Sequence, residues 1–179
     1  MKNIKLLAAL VAVLAPLSAN ATDGTVTFNG KVTDKTCTIS TPGGRDFTVT
    51  LPTVSLSALD LSNGGTAGRT PFTINLTNCA SGNVATFFES GPSVRFETGR
   101  LLNMAANPAR NVDLQLLNSD GSMLRIRALG AYQAQNDSKW VAVGPDGTAN
   151  LNYYVEYYAY PNPTAGEVTS NVKYTIMYN

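Results

Sequence analysis

The sequence predicts an all-β sandwich. Short stretches alternate apolar and polar residues at a period of two, the pattern of a strand with one buried face. Between them lie "TPGG", "SNGGTAG", "SGP", "NSDG", "GPDG" and "YPNP", which is turn and loop chemistry. Beyond the N-terminal leader no window sustains an apolar stripe at helical spacing, and many short strands joined by such turns argue a sandwich.

Taken in order, the elements begin with a leader. Lys2 and Lys5 precede an apolar run over residues 6–15, and "SANA" ends it with Ala19 and Ala21 as small residues. This reads as a secretory signal peptide over residues 1–21, cut before Thr22. The competing reading, a membrane-anchoring helix, needs roughly 20 apolar residues, about twice what the run supplies. "GTVTFNGKVT" follows almost at once, with Gly24, Val26, Phe28, Gly30 and Val32 on one parity. "DFTVTL" alternates Phe47, Val49 and Leu51. "SLSALDLS" has room for one helical turn. "PFTINLTN" alternates Phe72, Ile74 and Leu76, "SVRFE" offers Val94 and Phe96, and "NVDLQL" alternates Val112, Leu114 and Leu116. "LNYYVEYYAY" carries Leu151, Tyr153, Val155 and Tyr157 on one parity and further tyrosines on the other. The chain ends in "NVKYTIMYN", where Val172, Tyr174, Ile176 and Tyr178 share a face. That last strand runs to the C-terminus with no turn after it, which leaves open what covers its face and pairs with its edge.

Composition excludes more than it selects. Thirteen basic and 12 acidic residues leave no charge field for nucleic acid or an anionic membrane. There is no histidine, which removes the usual general base, the Ser/His/Asp arrangement and most zinc sites. The sparse carboxylates Glu89, Glu97, Asp113 and Glu156 are most simply solvated, outward-facing positions. No cofactor, no metal and no enzymatic activity are expected. "NLT" at Asn75 and "NDS" at Asn136 are three-residue glycosylation matches best read as chance. Five of the eight tyrosines lie between Tyr153 and Tyr160; they suit a β-rich core or interface better than a sugar platform.

Two cysteines, Cys37 and Cys79, allow one intramolecular pairing in an oxidising compartment. Closing that loop would stabilise by about 4 kcal/mol in the chain-entropy account. An intermolecular bridge and two free thiols are the alternatives.

Both ends of the exported chain are therefore strands with one apolar face. They pair within one molecule, or the first protrudes and fills a neighbour, its alternate side chains entering pockets there. On this point the sequence resembles subunits of chaperone–usher fimbriae, such as type 1 and P pili. The matching stretches are "GTVTFNGKVTDKTC", the second cysteine in "FTINLTNC", "ARNVDLQLLNSDGS" and "YYAYPNPTAGEVTSNVKYTIMYN", with Tyr178 penultimate. The resemblance implies an incomplete immunoglobulin-like β-sandwich lacking its last strand. It implies residues 22–36 as an N-terminal donor-strand extension leading into the first strand, and 37–179 as the pilin domain. Gly24, Val26, Phe28, Gly30 and Val32 would be the donor positions. Val172, Tyr174, Ile176 and Tyr178 would face the groove and the chaperone. Its implied partners are identical or related subunits in a linear polymer, a periplasmic chaperone and an outer-membrane usher. The implied place is the surface fimbrium, reached through the periplasm, and the implied role a structural subunit of the shaft. A tip adhesin or secreted carbohydrate-binding sandwich is the alternative. Only Thr22 and Asp23 precede Gly24, so the donor register stays open.

Overall fold

The computed structural model describes residues 24–28, 36–59, 64–127 and 137–179. The chain divides into two units, Met1–Val32 and Thr33–Asn179. In the first, residues 24–28 form no ladder. Val26 and Phe28 are exposed, at 75% and 90%. Gly30 and Val32, like the signal peptide, lie outside the described residues.

The second unit is all-β. Its strands are β1 (Thr38–Ile39), β2 (Thr66–Thr77), β3 (Asn83–Phe88), β4 (Val112–Asn118), β5 (Met123–Leu124), β6 (Val141–Ala142), β7 (Ala149–Ala159) and β8 (Tyr174–Tyr178). One sheet runs β1-β2-β7-β4-β5 and the other β6-β3-β8. The only helical turn among the described residues is Leu56–Ala58, within the stretch the sequence allowed it. No helix there is long and apolar enough to cross a membrane.

The alternation reads directly into the core. Ile74 and Leu76 of β2, Leu151, Tyr153 and Val155 of β7, and Leu114 and Leu116 of β4 point inward. Val84 and Phe88 of β3 meet them from the second sheet, and Phe88 packs edge-on against Tyr153 at 5.3 Å. Burying each of these side chains stabilises by about 1.5–3 kcal/mol. Pro71 sits inside the long strand β2, which tolerates it because β1 reaches only Leu76 and Thr77 and leaves that edge open. A bulge between Ala67 and Thr70 requires Gly68. Its φ is +67°, and a Cβ there would meet the Tyr157 ring at 2.8 Å.

Four sequence expectations change. "SVRFE" is not a strand. Val94 makes a single bridge to Leu101, and the chain then folds back through a turn closed by Gly99 N–H donating to the Arg95 carbonyl at 2.8 Å, with Phe96 exposed on it. "DFTVTL" keeps its alternation but pairs with no strand among the described residues. β3, "NVATFF", was not anticipated; it is buried almost throughout and so shows little alternation. Asp113 and Glu156 do point outward, but each is only 2% exposed, because arginines lie over them.

Candidate strand-binding groove

Among the described residues β8 pairs with β3 along one side only, and no strand lies on the other. Asn83 and Asn179 exchange both main-chain hydrogen bonds, at 3.1 and 2.9 Å, and Glu89 N–H donates to the Lys173 carbonyl at 2.8 Å. Bonded and non-bonded pairs alternate in an antiparallel ladder. The facing pairs Val84–Tyr178, Thr86–Ile176 and Phe88–Tyr174 are therefore the non-bonded ones. The N–H and C=O groups of Tyr174, Ile176 and Tyr178 point to the open edge.

The same residues turn their side chains inward. Val172, Tyr174 and Ile176 are half-buried and pack against the core, while Lys173 and Thr175 are exposed. Tyr178 belongs to this parity but is 37% exposed. On the opposite face of β8, Thr175 and Met177 line a shallow cleft of 410 Å³ with Phe87, Glu89 and Ser90.

Residues 45–51 form the facing wall. Phe47, Val49 and Leu51 are half-buried against the same core, and Thr48 and Thr50 are exposed. This is strand patterning without a ladder. Two tyrosines of β8 reach across. The Tyr174 hydroxyl donates to the Arg45 carbonyl at 2.9 Å, and its ring meets Phe47 edge-on at 6.4 Å. The Tyr178 hydroxyl accepts from the Cys37 N–H at 3.0 Å. Burial, helped by Asp46 and opposed by Arg45, pushes the Tyr174 phenol above its ordinary value and keeps it a donor. The site is thus two extended segments with unpaired backbone and inward apolar side chains. Its chemistry suits an extended peptide whose alternate residues are apolar.

Cys37 and Cys79 are disulfide-bonded, and there is no free cysteine. The bridge joins the residue just before β1 to the chain just after β2. The facing wall over residues 45–51 is the part that sequence reasoning named as a strand but did not assign to the site. Its signal was the period-two alternation of "DFTVTL".

The outer face of the large sheet carries a polar network instead. Arg95 grips Asp113 through two bonds of 2.6 and 3.1 Å, and the Tyr160 hydroxyl donates to the same carboxylate at 3.0 Å. Arg69 and Gln115 both donate to Glu156, and Arg100 donates to Gln115 while lying 3.5 Å from the Tyr158 ring centre. Every buried carboxylate here is paired, and among the described residues no group of acids, cysteines or histidines could hold a metal. The tyrosine cluster is thus used in packing, Tyr153 in the core and Tyr158 and Tyr160 beneath arginines.

An immunoglobulin-like sandwich of two sheets with an open strand position defines a class, the incomplete β-sandwich subunit. The family model described as Type-1 fimbrial protein, A, matches residues 51–179, and the chain belongs to that family. It is a structural subunit of a surface fimbrium, exported through the periplasm. A second model, described as DIM protein, matches only residues 1–34. The chain is 66% identical to the major fimbrial subunit SMF-1 of Stenotrophomonas maltophilia (strain K279a), covering 92% of this chain and 98% of that one. It is 42% identical to the F17 fimbrial protein of Escherichia coli, covering 94% and 96%. Among solved structures it resembles the P pilus rod subunit PapA, with a TM-score of 0.59 at 18% identity over 80% of this chain and 99% of that one. It also resembles a chaperone-usher pilus structure, with a TM-score of 0.57 at 22% identity, covering 92% and 100%. At these identities the structures speak for the fold.

Proposed function

We propose that the subunit polymerises by donor-strand exchange. The N-terminal segment, residues 22–36, is the donor, with Val26 and Phe28 as anchors and Gly24, Gly30 and Val32 on the same parity. The domain over residues 37–179 is the acceptor, and Val172, Tyr174, Ile176 and Tyr178 form one wall of its groove. A periplasmic chaperone fills the groove during export, and an outer-membrane usher is where the exchange happens. The work is binding, and it needs no catalytic group. Similarity to a major fimbrial subunit supports a place in the shaft.

One observation carries this reading. The residues of β8 whose side chains turn into the core are the same ones whose backbone groups are unpaired. A strand added there gains a ladder bond, at about 0.5–1.5 kcal/mol net each, and buries its own apolar parity in one movement. The exposure of Val26 and Phe28 supports the segment 22–36 as the donor, since two large apolar side chains left in water are otherwise a liability.

The test is Phe28→Asp in cells that express a cognate chaperone. Soluble subunit–chaperone complex should stay at wild-type level while polymer disappears. If the complex is lost and polymerisation by the remaining protein is normal, residue 28 is part of the subunit's own fold and the donor assignment is wrong.

A further inference from the structure

We propose that Tyr174 and Tyr178 are positioning residues: hydroxyl struts that hold the two groove walls apart and in register before any strand arrives. This rests on the groove reading above. An apolar slot with an unfilled strand position tends to close, because closure removes apolar surface from water. Something must keep its walls at the spacing of an absent strand. No main-chain ladder joins residues 45–51 to β8. Among the described residues two tyrosine hydroxyls, both from the inward parity of β8, make the crossing bonds, one to the wall itself and one to Cys37 ahead of it. Tyr174 donates to the Arg45 carbonyl and Tyr178 accepts from the Cys37 N–H. They sit four residues apart, about 13 Å along the strand at ~3.3 Å per residue.

Each strut ends on an anchored point. Cys37 is tied to Cys79 by the disulfide, and β1, just after it, is paired to β2. Arg45 follows a turn closed by Gly44 N–H donating to the Thr41 carbonyl at 2.8 Å, and the Thr41 hydroxyl in turn accepts from the Asn75 N–H at 2.9 Å. The bonds therefore link β8 to chain that is itself fixed to the large sheet. They are side-chain bonds, so they leave the free N–H and C=O groups of β8 available to an incoming strand. A groove held in its receptive shape loses less conformational freedom on binding, so the struts act on association.

The test uses the full mature chain carrying Phe28→Asp, so that its own segment does not compete. A fluorescent synthetic peptide, "TDGTVTFNGKVT", is added. Association and dissociation rates are followed, and the melting temperature of the unfilled chain is recorded. Tyr174→Phe and Tyr178→Phe keep the rings and remove only the hydroxyls. Each should slow association about fivefold, and the pair about 25-fold, from one modest hydrogen bond apiece. Dissociation should stay within about twofold of the parent, and melting should fall by no more than the ~2–4 °C per variant that one lost hydrogen bond costs a chain of this size. Thr175→Val removes a hydroxyl that bonds Glu89 on the other face of β8, and should change nothing. Unaltered association in both tyrosine variants, with peptide taken up by the parent, overturns the strut role alone. So does a fall in melting temperature well beyond that cost, or an equal effect from Thr175→Val. No peptide uptake by the parent overturns the groove reading beneath it.

Discussion

Asp113 holds its carboxylate among Arg95 and the Tyr160 hydroxyl, nearly sealed from water on a sheet face that composition alone assigns to solvent. An acid in that position is costly unless its partners stay. Arg95→Ala would leave the charge with one hydroxyl, and denaturant unfolding should show a loss of about 2–4 kcal/mol. Adding Asp113→Leu should recover most of that loss, since the uncompensated charge goes with it. A second loss as large as the first would mean that the arginine stem matters more than the ion pair. Tyr174 makes a pH-dependent contribution. Its folded-state value is raised above the ordinary 10.0, chiefly by burial. The stability it contributes is fully present below about pH 10 and is lost as pH rises through the raised value. Alkaline unfolding monitored by circular dichroism should flatten in Tyr174→Phe; an unchanged curve would assign the alkaline transition to other groups. Neither role was visible from composition, because both depend on what residues 95–100 and 45–47 bring over from elsewhere in the chain.

At the level of elements, alternation was the reliable signal wherever one face is buried and one is wet. β2, β7 and β8 were legible in this way, and so was the patterning of residues 47–51. β4 was found through its inward apolar residues even though its outward face is covered too. β3 escaped because "NVATFF" is buried on both sides, a pattern that a short apolar run shares with other buried segments. "SVRFE" misled because two alternating residues are too few to resist a tight turn. What no local pattern contains is which edge stays open; that depends on strand order, and strand order is a long-range fact. The parity of β8 makes a paired prediction. Ile176→Asp places a charge on the inward face, and Thr175→Asp places one in water beside Glu89. The first should abolish peptide uptake and lower the melting temperature by several degrees, through an unpaired charge on an apolar surface. The second should lower melting only slightly and spare uptake. Equal damage from both would mean the strand's two faces are not distinguished in the way the ladder implies.

On the scale of the whole molecule, the proposed donor-strand exchange makes measured stability depend on the concentration of the added strand. Peptide at 100 times its dissociation constant should add about 2.7 kcal/mol, and the midpoint should keep rising with the logarithm of concentration. A midpoint that ignores the peptide would mean the second unit is already complete. The disulfide carries a further consequence, in mechanical terms. Cys37 is where the N-terminal segment enters the folded body, and it is also one end of the bridge to Cys79. Tension on that segment passes across a covalent link straight into β2, the strand most extensively joined to β7. It bypasses β1, a ladder of two residues. Without the bridge the same pull would first peel β1 and then the wall over residues 45–51. That would release up to 42 residues of slack, about 140 Å at ~3.3 Å each. Under the proposed donor-strand exchange it would also dismantle one side of the seat for a neighbouring subunit's strand. One sulfur–sulfur bond per subunit thus keeps a pulled fibre from lengthening and from coming apart at the same place.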